Sequence, residues 1–218
     1  MQKRNDTTRK MVLMAMLAAV ALLLVATIRI PVVLFLKYEP KDVAVTIGGF
    51  LLGPFAALII SAVVCLIEMV TISDTGIIGC IMNFLSTASF ACTAALIYKK
   101  VHNIKGAIFG LLCGSLVMIG IMLLWNWLVT PLYMVGTSRT DIAGMLMPVF
   151  LPFNALKAGF NSAFTLCLYK PLTGALRRAK LLPQIKEQRS GAKLWIYILG
   201  ATLLITCVVF WLALRGII

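Results

Sequence analysis

Residues 43–73 read VAVTIGGFLLGPFAALIISAVVCLIEMVTIS, an unbroken apolar stretch of 31 residues. As one helix it would reach about 46 Å at about 1.5 Å per residue, while a bilayer's hydrocarbon core is only about 30 Å thick. Gly53-Pro54 sits inside it, and a Gly-Pro pair interrupts a helix. The stretch therefore divides into a short helix near 43–52 and a full span near 55–72.

That division decides the topology. Further apolar runs cover 11–36, 76–98, 106–135, 143–169 and 194–214. The basic residues gather between them: Lys3, Arg4, Arg9 and Lys10 in the N-terminal tail, and Lys99, Lys100 and Lys105 in the segment 99–105. Lys170, Arg177, Arg178, Lys180, Lys186, Arg189 and Lys193 follow in 170–193, so 14 of the 20 Lys and Arg lie in three segments. Cytoplasmic loops carry excess Lys and Arg. All three segments fall on that side only if the short helix 43–52 counts as a crossing. Glu39, Asp42, Glu68, Asp74 and Asp141 then lie at or near the outer ends. The expectation is seven crossings, with the N-terminus cytoplasmic and the C-terminus outside.

Composition agrees with a membrane protein. The 218 residues are 61% apolar and 12% charged, with a formal net charge of +13. A soluble domain is roughly 45–50% apolar and about 25% charged. Mean hydropathy is +1.02. These values exclude a soluble enzyme, a disordered chain and a nucleic-acid-binding domain, so the basic excess reads as orientation. The run after Lys10 is too long for a signal peptide and lacks a small-residue cleavage site, so it reads as a retained first helix. Cys65, Cys80, Cys92, Cys113, Cys167 and Cys207 all lie in apolar runs without a C-x-x-C pair. They read as small buried residues, not as disulfides or metal ligands.

Soluble catalytic motifs are absent. There is no G-x-x-x-x-G-K-[ST] and no H-E-x-x-H. The single histidine, His102, lies in the segment after the fourth helix, so a Ser-His arrangement is not expected. The chain reads as a non-enzyme.

The informative residues are polar groups inside spans, which are costly in lipid. Glu68, Asn83, Asn126 and Lys157 come from four different helices. Counted from the predicted outer helix ends they lie about 8, 10, 12 and 10 Å deep. Four such groups at one depth predict a convergent site in the outer half. Asn154, Lys157, Asn161 and Thr165 recur at spacings of three and four, the clearest polar face in the chain. Asn83, Asn154 and Asn161 fit ligand binding or simple interhelical hydrogen bonding. Glu68 fits a ligand role or a structural counter-charge. Trp125 and Tyr133 flank Asn126 and would either stack on a flat ring or anchor the interface. The loop 37–42 contains Lys37, Tyr38 and Asp42 and would close over a ligand. On the first helix, Ala15 and Ala19 form a small-x-x-x-small pair that lets another helix approach.

These residues carry a resemblance. Leu36-Lys-Tyr-Glu-Pro-Lys-Asp42 followed by Ile47-Gly-Gly-Phe-Leu-Leu-Gly-Pro54 resembles the first loop and second helix of substrate-binding S components of energy-coupling factor vitamin transporters. Met82-Asn83-Phe84, Leu124-Trp-Asn126 through Thr130-Pro-Leu-Tyr133, and Pro152-Phe-Asn154 through Leu156-Lys157 extend the likeness over about 11–182. It is strongest to the riboflavin-specific branch. The resemblance implies an all-α, polytopic membrane bundle of six helices over 1–182, in a bacterial cell membrane. It implies that Asn126 and Lys157 hydrogen-bond a flavin ring and that Ala15 and Ala19 face a transmembrane coupling subunit. Two ATPase subunits would complete the transporter, with riboflavin the transported ligand and no cofactor. Residues 183–218, a basic linker and a seventh helix, depart from the six-helix pattern. An S component for another vitamin or flat heterocycle remains the alternative. A membrane enzyme lacks its catalytic constellation, and a purely structural bundle would not need four polar groups at one depth.

Overall fold

The computed structural model describes residues 2–33, 36–72, 76–134, 136, 138–179 and 193–214. The elements are α1 (Gln2–Thr27), the strands β1 (Ile30–Val33) and β2 (Leu36–Tyr38), α2 (Lys41–Leu52), α3 (Pro54–Thr71), α4 (Gly76–Lys100) and α5 (Ile104–Tyr133). There follow α6 (Arg139–Met145), a π-helical turn (Leu146–Phe150), α7 (Leu151–Arg178) and α8 (Lys193–Leu214). Among the described residues six helices are long and apolar enough to cross a membrane, with α6, the π turn and α7 counted as one.

The break inside 43–73 falls where Gly-Pro predicts it. Gly53 ends α2 and begins α3 with φ +99°, a left-handed conformation that suits glycine, and Pro54 occupies the first turn of α3. At 12 residues α2 spans only about 18 Å. It still forms one leg of the bundle, packed against α1, α3, α4 and α7. The Phe50 ring packs on Tyr98 and Tyr169, centroids 4.5 and 5.8 Å away, near the basic ends of α4 and α7. Lys41, at the other end of α2, pairs with Glu68 near the end of α3.

Two elements differ from the sequence reading. The apolar run 11–36 does not stay helical. After Thr27 the chain turns into an antiparallel hairpin, Ile30 opposite Tyr38 and Pro31 opposite Lys37, with an irregularity before Val33 meets Leu36. Ile30, Val32 and Val33 are β-branched and Pro31 stops further helix. Likewise 143–169 is not one uninterrupted helix. It lengthens to 139–178 and contains the π turn, where the Leu151 N–H reaches back to the Leu146 carbonyl. Pro148 and Pro152 lack N–H groups, so a regular ladder cannot pass through this stretch. The basic linker predicted after α7 lies outside the described residues from 180 to 192.

One apolar cluster joins Leu17, Ala18 and Ala21 of α1 to Ala44 and Val45 of α2, and to Ile60 of α3. A second fills α4 and α5 around Phe90, Leu111 and Met118. A third gathers Val32, Leu36 and Tyr38 of the hairpin against Phe150, Phe153 and Phe160, with Cys207 of α8 closing it. Outward faces carry Phe55, Val70 and Leu132, each more than 70% exposed. Such a surface belongs in lipid. The described basic ends of α1, α4, α5 and α7 (Arg9, Lys10, Lys99, Lys100, Lys105, Lys170, Arg177 and Arg178) share the bundle end remote from the hairpin.

Candidate functional site: a polar cavity under the hairpin

A cavity of about 100 Å³ opens where the hairpin meets α3, α4, α5 and α7. Glu68, Asn83, Asn126, Asn154 and Lys157 all line it, from four helices. Arg29, Lys37 and Glu39 form the polar rim, while Leu36, Met82, Met122 and Phe153 supply apolar wall.

Two charge networks hold it. In the first, Glu68 accepts from Arg29 Nη2 at 3.1 Å, from Asn83 Nδ2 at 3.1 Å, and from Lys41 Nζ. Glu39 takes the other side of both cations, 2.8 Å from Lys41 Nζ and 3.1 Å from Arg29 Nε. Two cations meet two anions, so a buried cluster stays neutral. In the second, Lys157 Nζ lies 3.3 Å from Asp42 Oδ2 and donates to Ser86 Oγ at 3.0 Å. Thr87 donates to Asp42 Oδ1 at 2.6 Å, and Asn161 Nδ2 donates to Oδ2 at 2.9 Å. Tyr38 completes the chain by donating to Asn161 Oδ1 at 3.1 Å. Burial, reinforced by the Asp42 charge, pushes the Tyr38 phenol above its ordinary value, so it remains a donor at neutral pH.

Lys41 and Asp42 are neighbours in the first turn of α2, about 100° apart around its axis. One side chain therefore enters each network, and α2 ties the two together. Asp42 also gains from the positive N-terminal end of that helix. Asn126 donates to the Met122 carbonyl at 2.7 Å and accepts from Thr130 at 3.0 Å. Asn154 donates to the Phe150 carbonyl at 2.8 Å, at the end of the π turn. Each amide nitrogen carries two N–H groups and each bond uses one, which leaves a donor for the cavity.

The predicted residues separate into groups. Glu68, Asn83, Asn126, Asn154, Lys157 and Lys37 border the cavity. Asp42 and Asn161 stand behind Lys157 as its support, and Tyr38 supports Asn161. Trp125 packs against the α4–α5 core cluster and does not line the cavity. The Tyr133 side chain lies outside the described residues. Ala15 and Ala19 are exposed on α1, on the side away from buried Leu17 and Ala18. The segment 37–42 is not an open loop: Tyr38, Glu39, Pro40, Lys41 and Asp42 are all buried. Lys157 is therefore not the only lysine in the interior, since Lys41 is 0% exposed.

Sequence reasoning missed Arg29, Lys41 and Glu39 as a unit. Their signal was the surplus of charge in so short a segment, read as surface. Nothing local in the sequence ties Ser86 and Thr87 of α4 to Lys157 and Asp42.

A membrane helix bundle with an ion-paired polar cavity near one end has the build of a substrate-binding membrane component. The family described as "ECF transporter, substrate-specific component" matches residues 9–169, and the chain belongs to that family. Curated relatives are named as transporters. The "Riboflavin transporter RibU" of Staphylococcus aureus is 31% identical over 179 residues, covering 78% of this chain and 93% of that protein. The "Riboflavin transporter FmnP" of Bacillus subtilis is 26% identical, covering 84% and 97%. A solved chain described as "Structure and mechanism of the S component of a bacterial ECF transporter" superimposes with TM-score 0.65 at 30% identity. That match covers 79% of this chain and 99% of the solved one.

Proposed function

We propose that this chain captures riboflavin at the cavity under the hairpin and delivers it inward with a coupling subunit and two ATPase subunits. The observation that carries the reading is the convergence of Asn83, Asn126, Asn154 and Lys157 on one cavity with apolar walls. An isoalloxazine is flat and apolar on its faces, with imide oxygens and ring nitrogens on one edge. Asparagine offers donor and acceptor, and lysine offers donors only, which suits that edge. Met82, Met122 and Phe153 suit the faces, and the rim of Arg29, Lys37 and Glu39 suits a polyol chain.

A cavity of about 100 Å³ is narrow beside the roughly 300–1,000 Å³ of ligand pockets generally. Leu36, Lys37 and Glu39 roof it, so the hairpin yields when the ring enters. Basic residues gathered at the far end support a cytoplasmic N-terminus and a site facing outward. The exposed pair Ala15 and Ala19 on α1 is the approach surface for the coupling subunit. Hydrolysis of ATP belongs to the partner subunits in this reading.

Titration of the detergent-purified protein with riboflavin, followed by quenching of flavin fluorescence, tests the reading. Saturable one-to-one binding is expected. Absence of binding, or tighter binding of an unrelated vitamin, would sink it.

A further inference from the structure

Beside Tyr38, and sharing no lining residue with the polar cavity, lies a second, larger space of about 370 Å³. Its walls are Leu24 of α1, Tyr38 of the hairpin, Phe160 and Phe164 of α7, and Val208 and Trp211 of α8. No polar surface faces it among the described residues. Phe160, Phe164 and Leu168 follow one another at four-residue intervals, so the groove runs about 12 Å along α7. Its mouth is bordered by half-exposed Ile28, Leu168 and Val208, on surface that faces the bilayer.

We propose that this groove holds one acyl chain of a membrane phospholipid. Water has no hydrogen-bonding partner there, so hydration is unfavourable. A void of this size would forfeit the dispersion contacts of its lining. A spanning helix is too long an occupant: the groove runs only about 12 Å along α7, against the about 30 Å that such a helix would have to cover. A hydrocarbon chain is slim, apolar and supplied by the surrounding bilayer.

α8 makes this groove. It docks on α7 through reciprocal close contacts: a Cβ on Gly159 would lie 2.5 Å from Cys207 Sγ, and one on Gly200 would lie 2.5 Å from Cys167 Sγ. That seating brings Val208 and Trp211 across from Leu24. The family match ends at residue 169, so the α8 wall lies beyond it. The lipid site is thus a property of this chain's appended helix, independent of which vitamin occupies the polar cavity.

Native mass spectrometry of the full chain, delipidated and then titrated with dioleoyl phosphatidylglycerol, tests the proposal. One lipid should bind saturably, with the ethanolamine headgroup equally effective and dihexanoyl chains ineffective. Val208→Trp, which fills the groove, should weaken that binding at least tenfold, while Val209→Trp on the outward face should not. Should Val208→Trp lose its helical signal, Phe164→Trp serves in its place. Failure to bind one lipid saturably, equal binding by the filled variant, or a dimer dissociated by Val208→Trp would each overturn the proposal.

Discussion

Lys157 and Lys41 are both buried cations, yet they do different work. Lys157 borders the cavity, and its third N–H is not spent on Ser86 or Asp42. Lys41 does not line the cavity; it neutralises Glu39 and Glu68. Lys157→Ala should therefore weaken riboflavin binding by about 10–100-fold, as loss of a charged hydrogen bond costs about 1.5–3 kcal/mol, and should also lower the melting temperature, because Asp42 is left buried without its cation. Asn126→Ala should cost about tenfold. Unchanged affinity in both would remove them from the site. Lys41→Met leaves two buried carboxylates with Arg29 and the Asn83 amide and one cation fewer, and should destabilise the fold by about 3–5 kcal/mol. Pairing it with Glu68→Gln should recover part of that loss, read as thermal unfolding in detergent. The interior position of Lys157 was legible in the sequence, because it sits mid-helix in an apolar run. That of Lys41 was not, because it borders a helix start and its partner is 27 residues away.

Among the elements, the hairpin and α8 carry what distinguishes this bundle. The hairpin contributes Leu36 and Lys37 to the polar cavity and Tyr38 to the wall of the apolar groove. Its alternation is short and contains a bulge, so the apolar run into which it falls reads locally as more helix. The π turn likewise left no periodic trace, although Pro148 and Pro152 marked where a ladder would fail. The α8 helix was legible in outline, as an apolar run with no strong polar group; its docking on Gly159 and Gly200 was not. Among the described residues no α8 side chain lines the polar cavity. A chain ending after residue 182 should consequently bind riboflavin within about twofold of the full chain, measured by the same titration. A tenfold loss would mean that α8 belongs to the substrate-binding unit.

For the molecule as a whole, the charges divide between the two ends of the bundle. The hairpin end gathers Glu39, Asp42, Glu68 and Asp141, and the opposite end gathers the described basic helix ends. Alkaline phosphatase fused after Ile218 should be active, and the same enzyme fused at the N-terminus inactive. The reverse pattern would invert the proposed topology. The sequence alone determined that this is a membrane helix bundle, that it breaks at Gly53, and that Glu68, Asn83, Asn126 and Lys157 share a depth. Those features depend on apolar length, local backbone chemistry and helical rise, which any window of the chain displays. Only the tertiary structure decided that residues 38–42 are interior and that Asp42 supports Lys157. Charges stay buried only where partners neutralise them, and here Asn161, a partner of Asp42, lies 119 residues along the chain. No local pattern encodes that meeting; the packing of α2 between α4 and α7 does.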